Sequence, residues 1–144
     1  MQKPPVVAII NTSPDTVELL RIVLEHAGFV VVTTYTHEMR EGKIDVEYLM
    51  RQYQPRVIIY DIAPPYDKNW REFRVACVMP AFKGLRFVIT TTNARRVKEV
   101  AGENQEVFEI VGKPYDLDQI VQAVKDASGM AETRRESNAS AADA

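Results

Sequence analysis

Cysteine is nearly absent. Only Cys77 of 144 residues carries a thiol, so no internal disulfide forms and the fold must rest on packing, as suits a reducing compartment. Cys77 itself reads as a core residue. Long apolar runs are missing too: no stretch of about 18 apolar residues marks a membrane-spanning helix, and the opening Met1-Gln2-Lys3-Pro4-Pro5 lacks the apolar centre of a signal peptide. The expectation is a cytoplasmic protein with no membrane partner. No charge sign dominates either. With 18 Lys and Arg against 20 Asp and Glu, the net charge is −2, which excludes a general attraction to nucleic acid. The two histidines, His26 and His37, are far apart and have no cysteine partner, so a zinc site is excluded and surface positions are expected. No Ser-His-Asp arrangement, Walker loop or DNA-reading helix is present, and an enzyme is not indicated.

A chain of this length buries roughly two thirds of its unfolded surface, enough for one core. Val6 to Ile10 is a continuous apolar run between Pro5 and Asn11-Thr12-Ser13-Pro14, the pattern of a strand buried on both faces. Ser13 is placed to cap a helix with Pro14 in its first turn. Its stripe is Leu19, Leu20, Val23, Leu24 and Ala27, and Gly28 ends it. Phe29 to Thr34 is β-branched and aromatic, and after a polar loop Val46, Leu49, Met50 and Tyr53 define a second helix that Pro55 stops. Val57 to Tyr60 is a third strand ending in Asp61. Pro64-Pro65 then leads to a helix with Trp70, Phe73 and Cys77 inward. Phe87 to Thr91 is the fourth strand, followed by a helix with Ala94, Val97 and Ala101 on one face and Arg95, Arg96 and Lys98 on a solvated one. Val107 to Val111 is the fifth, and Asp116 with Gln119 predicts a capping box for a helix carrying Leu117, Ile120, Val121 and Val124. Past Ser128 the apolar pattern ends, which predicts a domain over residues 1–128 and a disordered tail over 129–144.

Five strands alternating with five helices predict a doubly wound α/β sandwich with a parallel sheet, whose chemistry sits at the carboxyl ends of the strands. Those ends deliver Asn11 and Thr12, Asp61, Thr91 or its neighbours, and Lys113-Pro114. A charge ending an apolar strand is costly unless compensated, and Lys113 is the cation at that edge. An Asp61–Lys113 ion pair alone explains these two residues as well as an active site does.

Several segments in order carry a resemblance. Ala8 to Leu20 resembles the opening strand and helix of response-regulator receiver domains, with Asn11 and Thr12 where two acidic residues usually stand. Val57 to Pro65 is similar to the phosphoacceptor segment, with Asp61 as acceptor. Thr91 is similar to the hydroxyl residue that binds the phosphoryl group, and Gly112-Lys113-Pro114-Tyr115 to the Lys-Pro-aromatic turn. The resemblance spans roughly residues 6 to 127 and implies a flavodoxin-like fold and a role in two-component phosphorelay signalling.

Three departures bear on function. The acidic pair of the family holds Mg²⁺, which prefers carboxylate and water oxygens. Asn11 and Thr12 offer only neutral oxygens beside Asp61, so Mg²⁺ binding is expected to be weak or absent; Asp15, in a first helical turn, and Asp67, in a loop, are poor substitutes. Ile110 stands where the family has an aromatic switch residue. Lys68-Asn69 replaces an acidic-glycine loop ending, and the segment between Thr34 and Val46 is a few residues longer than the family's. Two readings follow. One is an Asp61 switch fed by a histidine kinase, with Thr91 and Lys113 binding the phosphoryl oxygens. The other, which the missing acidic pair favours, is a pseudo-receiver that binds a protein partner, a kinase or downstream protein, or itself as a homodimer, through the face between the fourth and fifth predicted helices. A flavin-binding redox protein is a remote third: Asn11 to Thr16 opens a helix, but it has no glycine, and Pro14 removes a donor a phosphate would need.

Overall fold

The computed structural model describes residues 4–102 and 107–129. One parallel sheet runs β2-β1-β3-β4-β5, from β1 Val6–Asn11, β2 Val30–Tyr35, β3 Val57–Ile62, β4 Arg86–Thr91 and β5 Val107–Gly112. The helices are α1 Pro14–His26, α2 Thr36–Arg40, α3 Val46–Tyr53, α4 Tyr66–Cys77, α5 Ala94–Ala101 and α6 Leu117–Ser128, with a 3₁₀ turn at Pro80–Phe82. The doubly wound sandwich is as expected. The fourth and fifth predicted helices are α5 and α6, while α2 and the 3₁₀ turn are short additions inside connections.

Strand alternation builds two cores from one sheet. Val7 and Ile9 of β1, Val57 and Ile59 of β3 and Val88 of β4 face α1 and α6, where Leu20, Leu24, Ile120 and Val124 close the layer. Ala8, Ile10, Ile58, Tyr60 and Ile89 face the other way, onto Val46 and Met50 of α3, Trp70 and Phe73 of α4 and Val97 of α5. Each fully buried Leu, Ile, Val or Phe contributes about 1.5–3 kcal/mol. Both histidines are exposed, and Cys77 is half-buried against the second layer. Two stripe residues are not inward: Leu19 is 50% exposed and Tyr53 48%. On α1 the buried set is Val17, Leu20 and Leu24, spaced i, i+3, i+7, and Leu19 lies about a quarter turn off that line.

Capping follows the sequence in part. Ser13 Oγ accepts the Thr16 N–H at 3.4 Å, Asp45 Oδ1 that of Tyr48 at 3.0 Å, and Asn93 Oδ1 that of Arg96 at 3.1 Å. The capping box at α6 does not form: Asp116 makes no side-chain cap, and its backbone carbonyl takes the Gln119 N–H at 3.0 Å instead. Asp67 and Lys68-Asn69 lie in the first turns of α4 rather than in a loop. Gly129, at φ 84°, closes α6; the rest of the expected tail lies outside the described residues. No helix among the described residues is long and apolar enough to cross a membrane.

Candidate functional site at the carboxyl edge of the sheet

The sheet order reverses at β1 and β3, and in a doubly wound sheet the carboxyl ends of the strands at such a point are where a site forms. On β3 the side chains alternate, so Asp61 follows Val57 and Ile59 onto the α1–α6 face. The parallel register sets Thr90 of β4 beside Asp61, and Thr91 beside Ile62. β5 brings Val111 to the same face, and Lys113 comes two residues later. The Lys113 backbone N–H donates to the Thr91 carbonyl at 2.7 Å, which ties the turn to the end of β4. Gly112 makes this closeness tolerable: a Cβ there would sit 3.2 Å from Ala94 Cβ.

Asp61 and Lys113 meet as expected. Lys113 Nζ lies 2.6 Å from Asp61 Oδ1, with the two side chains 28% and 7% exposed. The hydroxyl on the carboxylate belongs to Thr90, not to Thr91: Thr90 Oγ1 donates to Asp61 Oδ1 at 2.7 Å. Thr91 points to the other face, where its Oγ1 accepts the Asn93 N–H at 3.3 Å. The sequence reading left the neighbours of Thr91 open at the strand end but gave the hydroxyl role to Thr91, the last strand position, rather than to Thr90. Lining the fourth strand up with the third in register would have found it. Burial and the Asp61 charge both raise the pKa of the Tyr115 phenol above its ordinary value.

Asn11 and Thr12 are not equivalent. Thr12 is exposed beyond β1, whereas Asn11 is buried on the Asp61 face, 1% exposed. Asn11 Oδ1 accepts the Ser13 N–H at 3.0 Å. The other end of this amide is therefore an NH₂ group, and its Nδ2 has no hydrogen-bond partner among the described residues. A donor with no lone pair to offer is the wrong group for a cation. Asp15 is exposed, and Asp67 is held by Arg96 at 2.8 and 2.9 Å. Among the described residues no group of three or more His, Cys, Asp or Glu is placed to hold a metal ion. The donor set does not fit Mg²⁺. The same turn is also a poor phosphate cradle, because the Ser13 and Thr16 N–H groups are already taken by Asn11 and Ser13 side chains.

Side-chain contacts also tie the loops and helices around this edge. Tyr66 Oη and Thr92 Oγ1 are 2.7 Å apart, and the Arg96–Asp67 pair links α5 to α4. Arg95 and Arg96 each also pair with Glu99, at 3.5 and 3.3 Å, so the basic face of α5 is largely compensated by its own neighbours. Ile110 is half-buried in the second layer.

The parallel 2-1-3-4-5 sheet with helices on both faces is the receiver class of fold. Solved structures share it. A sensor protein from Polaromonas sp. JS666 superposes with a TM-score of 0.66 at 20% identity, covering 86% of this chain and 95% of that one. A signal receiver domain of a two-component histidine kinase from Clostridium thermocellum gives 0.67 at 18% identity, covering 86% and 97%. A response regulator from Thermotoga maritima gives 0.63 at 16% identity, covering 88% and 99%. No protein-family model and no curated protein matches the chain.

Proposed function

We propose that this chain is a receiver-type module of two-component signalling that works without phosphoryl transfer to Asp61, as a protein-binding domain rather than an enzyme. One observation carries the reading: the place beside Asp61 where a cation-binding carboxylate is needed holds Asn11, whose amide presents a buried N–H donor. Phosphoryl transfer to a carboxylate needs its developing charge neutralised, and Lys113 alone supplies one positive charge here. In this reading the Asp61–Lys113–Thr90 cluster is structural. It joins the ends of β3, β4 and β5 and holds the α5–β5–α6 edge in one arrangement, the surface for a kinase, a downstream protein or a second copy. Phe108 on the edge strand β5 is 40% exposed, with Arg86 stacked 5.5 Å from its ring centre.

The second reading, an Asp61 switch, rests on the same contacts, because Lys113 and Thr90 are also the donors a phosphoryl group on Asp61 would use. Intact mass after incubation with a small phosphodonor, with and without Mg²⁺ and beside an Asp61→Asn control, separates the two. We expect no mass gain under either condition. A Mg²⁺-dependent gain of one phosphoryl group, lost in the control, establishes the switch and ends the first reading.

A further inference from the structure

The other face of the sheet carries a feature that the strand-end cluster does not use. A cavity of about 510 Å³ opens between α2, α3 and α4, within the size range of binding pockets. Its floor and walls are mostly apolar, from Met39, Ile44, Val46, Tyr60, Ala76 and Met79. The extended segment between Thr34 and Val46 builds one wall, through Met39, Arg40, Ile44 and Asp45. Its one-turn helix α2 is fastened to α4 because Arg40 donates to Glu72 and, at 3.3 Å, to Asn69 Oδ1.

Two observations select the occupant. The apolar surface does not stop at the cavity: Val75, on its lip, is 68% exposed and Val78, one turn further along, 79%. A small ligand filling the hole would leave those two valines in water, whereas a polypeptide crossing the lip covers them. The charged lining is lopsided, with Asp45, Glu47 and Glu72 against Arg40 alone, and Arg40 is already committed to Glu72. The surplus is negative and selects a basic partner. Two methionines in the walls let the groove adapt to the anchor it receives.

We propose that this groove docks a protein segment presenting one apolar side chain flanked by Lys or Arg. The inference goes beyond the reading of Asp61 and does not depend on it, because Tyr60 and Asp61 are successive residues of β3 and face opposite sides of the sheet.

The test is selection from a displayed random-peptide library on the 144-residue chain, followed by fluorescence polarisation of the recovered peptides. The expected sequences carry a Leu, Ile, Met or Phe beside Lys or Arg. Val75→Gln and Glu47→Lys, both at exposed positions, should each weaken them about tenfold while the circular dichroism spectrum stays unchanged; the urea midpoint should hold for Val75→Gln and fall slightly for Glu47→Lys, which puts a cation in the first turn of α3. Recovered peptides that are acidic or charge-blind, affinities that both variants leave intact, or no recovered peptides at all would overturn the proposal. Self-association abolished by Val75→Gln would also overturn it, since the occupant would then be a second copy.

Discussion

Asp61 shares one oxygen between an ammonium and a hydroxyl, and at 7% side-chain exposure it has little water to fall back on. Removing the ammonium leaves a nearly buried carboxylate with Thr90 as its remaining donor, so Lys113→Met should destabilise the domain by about 1–3 kcal/mol in urea denaturation. Asp61→Asn keeps the shape and the Thr90 bond, and combined with Lys113→Met it should recover part of that loss. A Lys113→Met protein as stable as the parent would show that the pair contributes nothing. A second residue gives a pH dependence. Burial pushes the Tyr60 phenol from its ordinary 10.0 up to about 12. The unfolded chain releases this proton near pH 10 and the folded chain holds it to about 12. This contribution to stability is therefore complete below pH 10 and is lost as pH rises toward 12, by about 2–3 kcal/mol in full. Urea midpoints on either side of pH 10 should show a steeper alkaline fall for the parent than for Tyr60→Phe. At this scale, Asp61 and Lys113 were legible because a charge ending a strand stands out against Val, Ile and Tyr. Thr90 was not, because the choice between two adjacent threonines depends on register, which the pairing with β3 decides.

Helices and strands were legible wherever an element carries a repeating apolar face. α3, α4, α5 and α6 each bury residues the spacing singled out: Met50, Phe73, Val97 and Ile120. Helix α2 was not, since Thr36-His37-Glu38-Met39-Arg40 holds a single large apolar residue and is fixed by contacts with α4 that no local pattern announces. Of the two caps the sequence pointed to, Ser13 forms its bond and Asp116 does not, while the cap at Asp45 was not singled out. Asp45 caps the eight-residue α3 with a 3.0 Å bond and adds a negative charge at its positive end. Asp116 stands at the same position of α6 and makes no such bond. Asp45→Ala should therefore cost about 1 kcal/mol, and Asp116→Ala less than about 0.5 kcal/mol. Equal losses in denaturant titrations would mean that the carboxylate charge rather than the hydrogen bond stabilises these helix starts.

The whole molecule has two cores that share one sheet, so every central strand contributes alternate residues to both. Neither layer can lose its packing without uncovering the back of the strands that the other needs, and the domain should unfold as one unit. Trp70, the single tryptophan of the chain, is 4% exposed in the α3–α4–α5 layer, and its fluorescence reports that layer, while circular dichroism reports all the helices. Phe73 is the aromatic centre of that layer, with ring centres 5.0 Å from Tyr60, 5.1 Å from Trp70 and 4.9 Å from Phe87. Phe73→Ala should cost about 3–5 kcal/mol, a large share of the ~5–15 kcal/mol that holds a domain of this kind together. The loss should move the fluorescence and circular dichroism midpoints together, because α1 and α6 lie on strands whose other face Phe73 covers. Val78→Ala on the same connection, at a position 79% exposed, should leave both midpoints within about 0.5 kcal/mol of the parent. If Phe73→Ala instead lowers the fluorescence midpoint and leaves the circular dichroism transition in place, the two layers are separate folding units and the shared sheet does not couple them.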